Sequence, residues 1–258
     1  MKFKDKVALV TGAGSGIGKA TAVAYAAEGA KVVVNSRTED EIRETADEII
    51  KAGGQALAVT GDISKPQDVQ NLVDQTIAKF GRLDIVLANA GINGVWAPIE
   101  ELTVEEFDKT IDINLKGTFL TIKYAVPHLK KQGGSVTVVA SVNGTRIFSN
   151  TGATAYSTSK AGQVAMTKML ALELAKWDVR VNVICPGSVE TEINDNTEQR
   201  HVEKVKIGVE FDRMIPLHNK PASSRQVADL ALFLASDAAS HITGTPIWLD
   251  GAQSLLQG

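Results

Sequence analysis

Short apolar runs alternate with longer amphipathic segments along this chain. The apolar runs show little polar alternation, and 31–34, with three consecutive valines, is typical of a strand buried on both faces of a sheet. Runs of this kind lie at 7–10, 31–34, 56–60, 83–88, 136–140, 179–184 and 246–249. The pattern therefore predicts seven short, buried strands.

The segments between these strands predict helices. In 66–80 the apolar positions form one stripe at helical spacing, and we expect Ser64 to cap this helix. The segments 103–106 and 223–226 read T-x-x-E and S-x-x-Q, which match capping boxes and predict helix starts. Further helices are predicted at 19–27, 39–52 and 153–176, and helical sequence at 103–132 is expected in two pieces.

Strand and helix alternate through all of 1–258, without a linker or a repeat. This order predicts one α/β domain with a Rossmann-type, doubly wound parallel β-sheet and helices on both faces. The exception is 186–221, which is long and irregular and is expected to form a lid over a substrate.

The first predicted strand runs directly into a glycine-rich turn and a helix. Residues 11–18 read T-G-A-G-S-G-I-G. Gly12 can take the positive φ of a tight turn, and Gly16 and Gly18 lack the Cβ that would keep a pyrophosphate and the strand apart. Free N–H groups at the helix N-terminus would then bind a phosphate. A P-loop is disfavoured, because Ala20 stands where a magnesium-binding hydroxyl belongs.

Small polar residues with glycine or proline follow most of the other predicted strands. They lie at 35–37, 61–63, 89–91, 141–143 and 186–187. Ligands of a doubly wound sheet bind beyond the carboxyl ends of its strands. We therefore expect a groove at this edge, long enough for a dinucleotide.

Tyr156 and Lys160 are four residues apart and share one face of the predicted helix. The spacing alone favours a solvated helix face. The alternative is an acid/base pair in which the ammonium lowers the pKa of the phenol, with Ser141 nearby to hold a substrate oxygen.

Together these motifs resemble the short-chain dehydrogenase/reductase family in its short, single-domain form, over essentially the whole chain. The matching positions are T-G-x-x-x-G-x-G at 11–18, Asp62, N-A-G at 89–91, Asn114, Ser141, Y-x-x-x-K at 156–160, P-G at 186–187 and Thr191. The resemblance implies an NAD(P)-dependent oxidoreductase that interconverts a carbonyl and a secondary alcohol by hydride transfer. The alternative is a non-catalytic dinucleotide sensor, which would not need the catalytic set.

The resemblance also implies residue roles. Tyr156 would be the general acid/base, Ser141 would position the reacting oxygen, Asn114 would keep a water in a proton relay, and Lys160 would hold the nicotinamide ribose. Cofactor contacts are expected at Gly12, Ser15, Gly16, Ile17, Gly18, Ser36, Arg37, Asp62, Ile63, Asn89, Ala90, Gly91, Tyr156, Lys160, Pro186, Gly187, Val189 and Thr191.

The end of the second strand bears on which cofactor is used. An acid about 20 residues beyond the glycines would bind the adenosine ribose of NAD. Here Ser36 and Arg37 stand at that point, and they suit a 2′-phosphate, so NADP(H) is favoured. NAD(H) stays possible, because Ser15 occupies a position where NADP-preferring relatives carry a basic residue.

Composition narrows the partners and the compartment. The net charge of −3 gives no general attraction to nucleic acid or acidic membranes, and the four histidines form no metal-ligand spacing, so no metal is expected. The single cysteine, Cys185, forbids an internal disulfide. The N-terminal residues enter the first strand without a signal peptide, so we expect a cytoplasmic protein. The resemblance implies a homo-oligomer, a tetramer or a dimer, formed through two long helices.

The substrate cannot be inferred from the residues. Candidates for pocket walls are Trp96, Ile147, Phe148 and Met214, with ordinary packing as the alternative for each. Arg146 could bind an acidic substrate group or lie exposed in its loop. The stretch from Ser141 to Tyr156 is longer than is usual in the family, so this loop is expected to be reshaped over the substrate.

Overall fold

A single parallel sheet forms the centre of the molecule. The computed structural model describes residues 1–191, 193, 197–207 and 215–257. Its strands are β1 (Val7–Thr11), β2 (Lys31–Ser36), β3 (Gln55–Thr60), β4 (Ile85–Ala88), β5 (Gly94–Trp96), β6 (Gly134–Val139), β7 (Val179–Pro186), β8 (Val189–Glu190), β9 (Thr197–Gln199), β10 (Ala222–Ser223) and β11 (Pro246–Leu249). The seven longer predicted strands form one sheet in the order β11-β7-β6-β4-β1-β2-β3, with every neighbouring pair parallel. The predicted α/β fold is confirmed.

Helices cover both faces of this sheet. They are α1 (Gly16–Ala27), α2 (Glu39–Lys51), α3 (Pro66–Phe80), α4 (Val104–Ile111), α5 (Gly117–Leu129), α6 (Thr154–Leu174), α7 (Ser224–Ala235) and α8 (Gln253–Gln257). Alternate residues of β1 face opposite cores: Ala8 and Val10 pack with α1, α2 and α7, while Val7 and Leu9 pack with α3, α5 and α6. Burial on both faces explains why the strand sequences are apolar without alternation.

The helix starts test the capping predictions. Thr103 and Ser223 each accept a hydrogen bond from the backbone N–H three residues on, and Glu106 and Gln226 reach back, so both capping boxes are confirmed. The expected cap of α3 is wrong. Lys65 occupies the cap position, and the Ser64 hydroxyl instead donates to Asp62 Oδ1 over 2.8 Å.

The helical segment between β5 and β6 is continuous. It was expected in two pieces, but a π-helical turn, Asp112–Lys116, joins α4 to α5. A π turn inserts one extra residue into a helix and often marks a functional position. Asn114 lies in this turn.

The irregular region contains two small pairings that the sequence did not indicate. Parallel strand β9 pairs with β5, and β8 pairs with β10. Residues 192, 194–196 and 208–214 lie outside the described part of the chain, so the expectation for Met214 falls outside it as well. Among the described residues, no helix is long and apolar enough to cross a membrane, and no cluster of three potential metal ligands is found.

Candidate active site

The glycine-rich turn brings the backbone of three segments close together. Gly12 and Gly16 have φ angles of 63° and 50°, which only glycine adopts without strain. A Cβ on Gly18 would collide with the carbonyl oxygen of Gly12, and one on Gly16 would lie 3.1 Å from Thr191 Cγ2. The turn and Thr191 therefore face each other across a narrow gap.

Helix α1 begins inside this turn with its first N–H groups free of side-chain caps. Ser15 occupies the cap position in an extended conformation without a side-chain hydrogen bond, and no acidic residue lies in the first turn. The other long N-terminal helices, α2 and α3, carry acids there. The start of α1 is thus suited to an anion.

A groove of about 410 Å³ extends from this turn along the sheet edge. Twelve of the predicted cofactor residues line it: Gly12, Ser15, Gly16, Ile17, Ser36, Arg37, Asp62, Ile63, Asn89, Ala90, Gly91 and Thr191. Gly18 packs beneath the turn instead. Gly187 and Val189 line a neighbouring cavity, and Pro186 is buried, with its carbonyl accepting from Val142 N over 2.9 Å.

The end of β2 offers an unsatisfied acceptor to the groove. Asn35 is buried, and its Nδ2 donates to the carbonyls of Val59 and Gly61 over 3.0 and 3.2 Å. Its Oδ1 has no hydrogen-bond partner among the described residues. A buried acceptor of this kind needs a donor, which a ribose hydroxyl or an adenine amino group has. With the free helix start, this fits a dinucleotide.

Charged side chains line the same end of the groove. Arg37 is exposed there, and Glu41 packs its carboxylate against Gly14. Burial alone would raise the pKa of Asp62. Two hydrogen bonds from Ser64 and the nearby charge of Arg37 together outweigh burial, so the pKa of Asp62 is lowered. Asp62 is therefore ionised near neutral pH.

Asn89 lines the groove and also forms hydrogen bonds that hold the neighbouring backbone in place. Its Nδ2 donates to the carbonyls of Thr11 and Gly12, both over 3.1 Å. Asn89 and Ala90 also donate their backbone N–H groups to the Thr11 hydroxyl. These bonds tie the end of β4 to the glycine-rich turn and set the groove's shape.

The Asn114 side chain links the segment after β4 to helix α6. Its Oδ1 accepts from Ile92 N over 2.8 Å, and its Nδ2 donates to Ile92 O over 2.9 Å and to Ser159 Oγ over 3.1 Å. Ser159 in turn donates to the carbonyl of Tyr156 over 2.7 Å. Both N–H donors of the amide are therefore used, and any water could bond only to its remaining acceptor capacity.

Ser141, Tyr156 and Lys160 are brought together by β6 and α6. All three are buried. Lys160 Nζ donates to the carbonyl of Val139 over 3.0 Å, and burial lowers the pKa of Lys160 to about 8. A Cβ built on Gly91 would lie 3.6 Å from this nitrogen, so the lysine faces the groove wall.

The titration of Tyr156 differs from the sequence prediction. Burial raises the pKa of Tyr156, and a hydrogen bond with Ser141 lowers it less than burial raises it. Lys160 Nζ lies 5.5 Å from the ring centroid and its first bond goes to Val139. Desolvation, which favours the neutral phenol, thus dominates over the expected effect of the lysine.

A cavity of about 1220 Å³ opens beside Ser141 and Tyr156. Ser141, Tyr156, Trp96 and Ile147 line it, and Ile193 lines both this cavity and the groove. Two expectations for the loop after β6 are not met. Phe148 is 70% exposed and is not part of the wall, and Arg146 stacks on Trp248 with its Cζ 3.6 Å from the ring centroid.

The sequence reasoning missed several wall residues. Asn143 and Asn150, in the loop between Ser141 and Tyr156, line the cavity, and the expectation that this loop covers the substrate stays a prediction. Asn93 lines the cavity as well. An asparagine in a loop carries no periodic signal. The adjacency of Asn93 to the N-A-G motif was the available indication.

Comparisons with known proteins agree with this geometry. The model of a family described as enoyl-(acyl carrier protein) reductase matches residues 12–252. The crystal structure of a 3-ketoacyl-ACP reductase from Sinorhizobium meliloti 1021 is 54% identical, with a TM-score of 0.94, and the match covers 97% of this chain and 99% of that chain.

Two further relatives are less similar. The crystal structure of a 3-ketoacyl-(acyl-carrier-protein) reductase from Brucella melitensis, complexed with NADH, is 34% identical with a TM-score of 0.86, over 98% of this chain and 99% of that chain. Glucose 1-dehydrogenase 2 from Bacillus subtilis (strain 168) is 37% identical over 98% of this chain and 97% of its own length. The first shares its named substrate class with the Sinorhizobium meliloti protein, and the second is named for a different substrate.

Proposed function

Since the chain belongs to the short-chain dehydrogenase/reductase family, we propose that Tyr156 is the general acid/base of this NAD(P)-dependent oxidoreductase. The reaction interconverts a carbonyl group and a secondary alcohol. One observation carries the assignment: Ser141 and Tyr156 lie on the wall of the large cavity, while Gly91, next to Lys160, lies on the wall of the dinucleotide groove. A proton donor therefore stands at the boundary between the two spaces.

The residues divide the work as follows. A bound nicotinamide supplies or accepts the hydride. In reduction Tyr156 donates its phenolic proton to the carbonyl oxygen, and in oxidation it removes the alcohol proton. Ser141, hydrogen-bonded to Tyr156, holds the substrate oxygen. Lys160 holds the ribose beside Gly91, and Asn114 fixes Ile92 and Ser159. A sensor would have no use for this proton path.

Replacement of Tyr156 by phenylalanine tests the assignment. Y156F keeps the buried ring and removes the transferable proton. We expect turnover to fall by at least about a hundredfold, the usual scale for loss of a general acid/base. Cofactor affinity, measured by nucleotide fluorescence titration, should persist. Turnover near the wild-type value in Y156F would contradict the proposal.

We further propose that the enzyme prefers NADP(H). Arg37 is exposed on the groove and offers a planar, permanently charged fork to a 2′-phosphate, and no carboxylate stands at the end of β2. NAD(H) is the second candidate. Glu41 lies on the same groove, where its carboxylate would repel a phosphate, and the Brucella melitensis structure is complexed with NADH.

The ratio of kcat/KM with NADPH to that with NADH decides between them. A partly exposed, charged hydrogen bond contributes about 1.5–3 kcal/mol. R37A should therefore lower this ratio about tenfold to a hundredfold, whereas R43A, on the exposed side of α2, should not. A wild type that prefers NADH would assign the cofactor to NAD(H). An NADPH preference unchanged in R37A would contradict the role proposed for Arg37.

We propose that 186–221 covers the substrate within this single domain. Val202 and Ile207 support this, since both line the large cavity. We also propose a cytoplasmic homo-oligomer acting on a small-molecule substrate. The free, buried thiol of Cys185 is consistent with a reducing compartment.

A further inference from the structure

Two asparagines on the wall of the large cavity are held in place by hydrogen bonds near Asn114 and Ser141. Asn93 follows Ile92, whose backbone N–H and carbonyl are both bonded to the Asn114 side chain. Asn143 follows Ser141 by two residues and donates its backbone N–H to the Ser141 hydroxyl over 3.1 Å. Both side chains line the cavity. Each is therefore fixed within two residues of a group assigned to the chemistry.

In the Asn143 side chain the oxygen is hydrogen-bonded and, among the described residues, the nitrogen is free. Asn150 Nδ2 donates to Asn143 Oδ1 over 2.9 Å across the loop after β6. This bond orients the amide and leaves Asn143 Nδ2 without a hydrogen-bond partner among the described residues. The side chain is only partly buried, so the free donor is not trapped in the core. It is available to an acceptor in the cavity.

The Asn93 amide is oriented in the opposite sense. Its Nδ2 donates to Thr197 Oγ1 over 2.6 Å, which ties it to β9. Among the described residues nothing bonds to its Oδ1. Asn93 is 7% exposed, so little bulk water reaches it. The described cavity wall therefore offers a free acceptor on Asn93 and a free donor on Asn143.

A hydroxyl group matches this arrangement, because it both donates and accepts hydrogen bonds. The rest of the described wall is also polar and contains no carboxylate. Its polar members are Ser149, Asn150, Thr151, Ser188, Gln199, Lys206, Asn219, Lys220 and Gln253. A purely aliphatic ketone would displace water from this wall and leave the free atoms of Asn93 and Asn143 unpaired, which costs binding free energy.

We propose that the substrate carries an oxygen on the carbon next to the reacting one, and that Asn93 and Asn143 recognise this neighbouring group. The substrate class is a vicinal diol in oxidation and an α-hydroxyketone in reduction. The hydride leaves the reacting carbon for the nicotinamide, Tyr156 takes the proton of its hydroxyl, and the neighbouring hydroxyl is unchanged. This inference rests on the proposed function, since it requires Tyr156 and Ser141 at the reacting carbon.

Matched alcohols test it with the full-length enzyme. Oxidation of trans-1,2-cyclohexanediol and of cyclohexanol is compared with NADP⁺ and with NAD⁺. We expect kcat/KM to be at least about tenfold higher for the diol, the factor that one well-formed hydrogen bond provides. N143L should lower the diol-to-monool ratio about tenfold. N143D should lower it too, because it keeps the shape and the bond from Asn150 but has no donor. N71L, on the exposed face of α3, is the matched control.

Binding gives a second readout that needs no turnover. Trp96 lines the cavity, so its fluorescence reports occupancy, and the diol should bind more tightly than cyclohexanol. Turnover of the monool with no preference for the diol would overturn this inference and leave the proposed function standing. Tighter diol binding without turnover of either alcohol would overturn the proposed function, and with it the assignment of a reacting carbon next to the recognised hydroxyl. An unchanged ratio in both N143L and N143D would also overturn the inference.

Discussion

The balance of two effects on one phenol determines how Tyr156 can act. Burial raises the pKa of Tyr156, and the hydrogen bond from Ser141 is the effect that opposes it. Ser141 thus favours the phenolate, in addition to the proposed role of holding the substrate oxygen. Removal of its hydroxyl should alter the pH dependence as well as the rate.

S141A should move the pH profile of alcohol oxidation to higher pH. Oxidation requires the phenolate, so the rate rises with pH through the pKa of Tyr156. Loss of the hydrogen bond that lowers this pKa shifts that rise upward. The measurement is kcat/KM against pH for wild type, S141A and T158A, a control on the exposed face of α6. A lower rate with an unmoved profile would limit Ser141 to holding the substrate.

The sequence predicted which residues converge at the catalytic centre but not the state of each. Ser141, Tyr156 and Lys160 could be assigned because each occupies a motif position at a strand end or on one helix face. The direction of the Tyr156 pKa could not, since it depends on burial by segments distant in sequence. The bond from Lys160 to Val139 depends on the backbone of another element, so the sequence pattern did not predict it.

At the scale of elements, one ionic cluster attaches the irregular region to the start of α4. Arg200, next to β9, donates to both carboxylate oxygens of Glu106 over 3.0 and 2.7 Å. Glu106 also closes the capping box of α4. On the same side Lys204 and His201 contact Glu101 over 2.7 and 2.6 Å. The part of the cavity wall that contains Gln199 and Val202 is therefore held by the β5–β9 strand pairing and by these ion pairs.

The Glu106 carboxyl makes this anchor resistant to acid. Hydrogen bonds from Arg200 and then from the Thr103 backbone lower the pKa of Glu106 to about 2, against an ordinary value of 4.5. A lowered carboxyl pKa stabilises the folded state fully above the ordinary pKa. The contribution declines as the pH falls from about 4.5 and is gone below about 2. The attachment should therefore persist through mild acid.

E106Q should loosen 197–205 without unfolding α4. Glutamine can still complete the capping box but cannot form the ion pair with Arg200. Amide exchange in 197–205 should be slow in the wild type even without cofactor and faster in E106Q, while α4 keeps its protection. E105Q, an exposed neighbour in the first turn, is the control. Equally rapid exchange of 197–205 in the wild type and in E106Q would show that the cluster anchors nothing.

Element length explains which elements the sequence predicted. The seven strands of the main sheet and the two capping boxes gave recognisable patterns. β5 and β9 have three residues each, too few for any periodicity, and they pair across more than a hundred positions of sequence. The wrong cap at Ser64 has a local cause, since Asp62 two residues earlier accepts the same hydroxyl.

At the scale of the molecule, α5 and α6 leave apolar side chains exposed. Leu172 and Met169 on α6 are 81% and 69% exposed, and Phe119 on α5 is 46% exposed. Positions 169 and 172 share one helix face. Exposed apolar side chains on two long helices are consistent with the proposed homo-oligomer.

L172E places a charge on this surface and should dissociate the oligomer. The leucine is too exposed in the single chain to matter for its folding, so the melting curve should remain cooperative. Sedimentation velocity of the wild type, L172E and K51E, an exposed control at the end of α2, measures the mass. A wild type that sediments as a monomer, or an oligomer unaffected by L172E, would contradict the proposal.

The order of the strands in the sheet also bears on how the chain can fold during its synthesis. A ribosome delivers β1 first, then β2 and β3, which extend the sheet on one side of β1. β4 joins the other side, and β6, β7 and β11 then attach one after another, each to the strand that arrived before it in the sheet. No arriving strand has to separate two that are already paired. Apart from Thr191 and Ile193, the described residues that line the cofactor groove belong to the first half of the chain. The nascent protein can thus assemble most of this groove before Thr191 and Ile193 are translated.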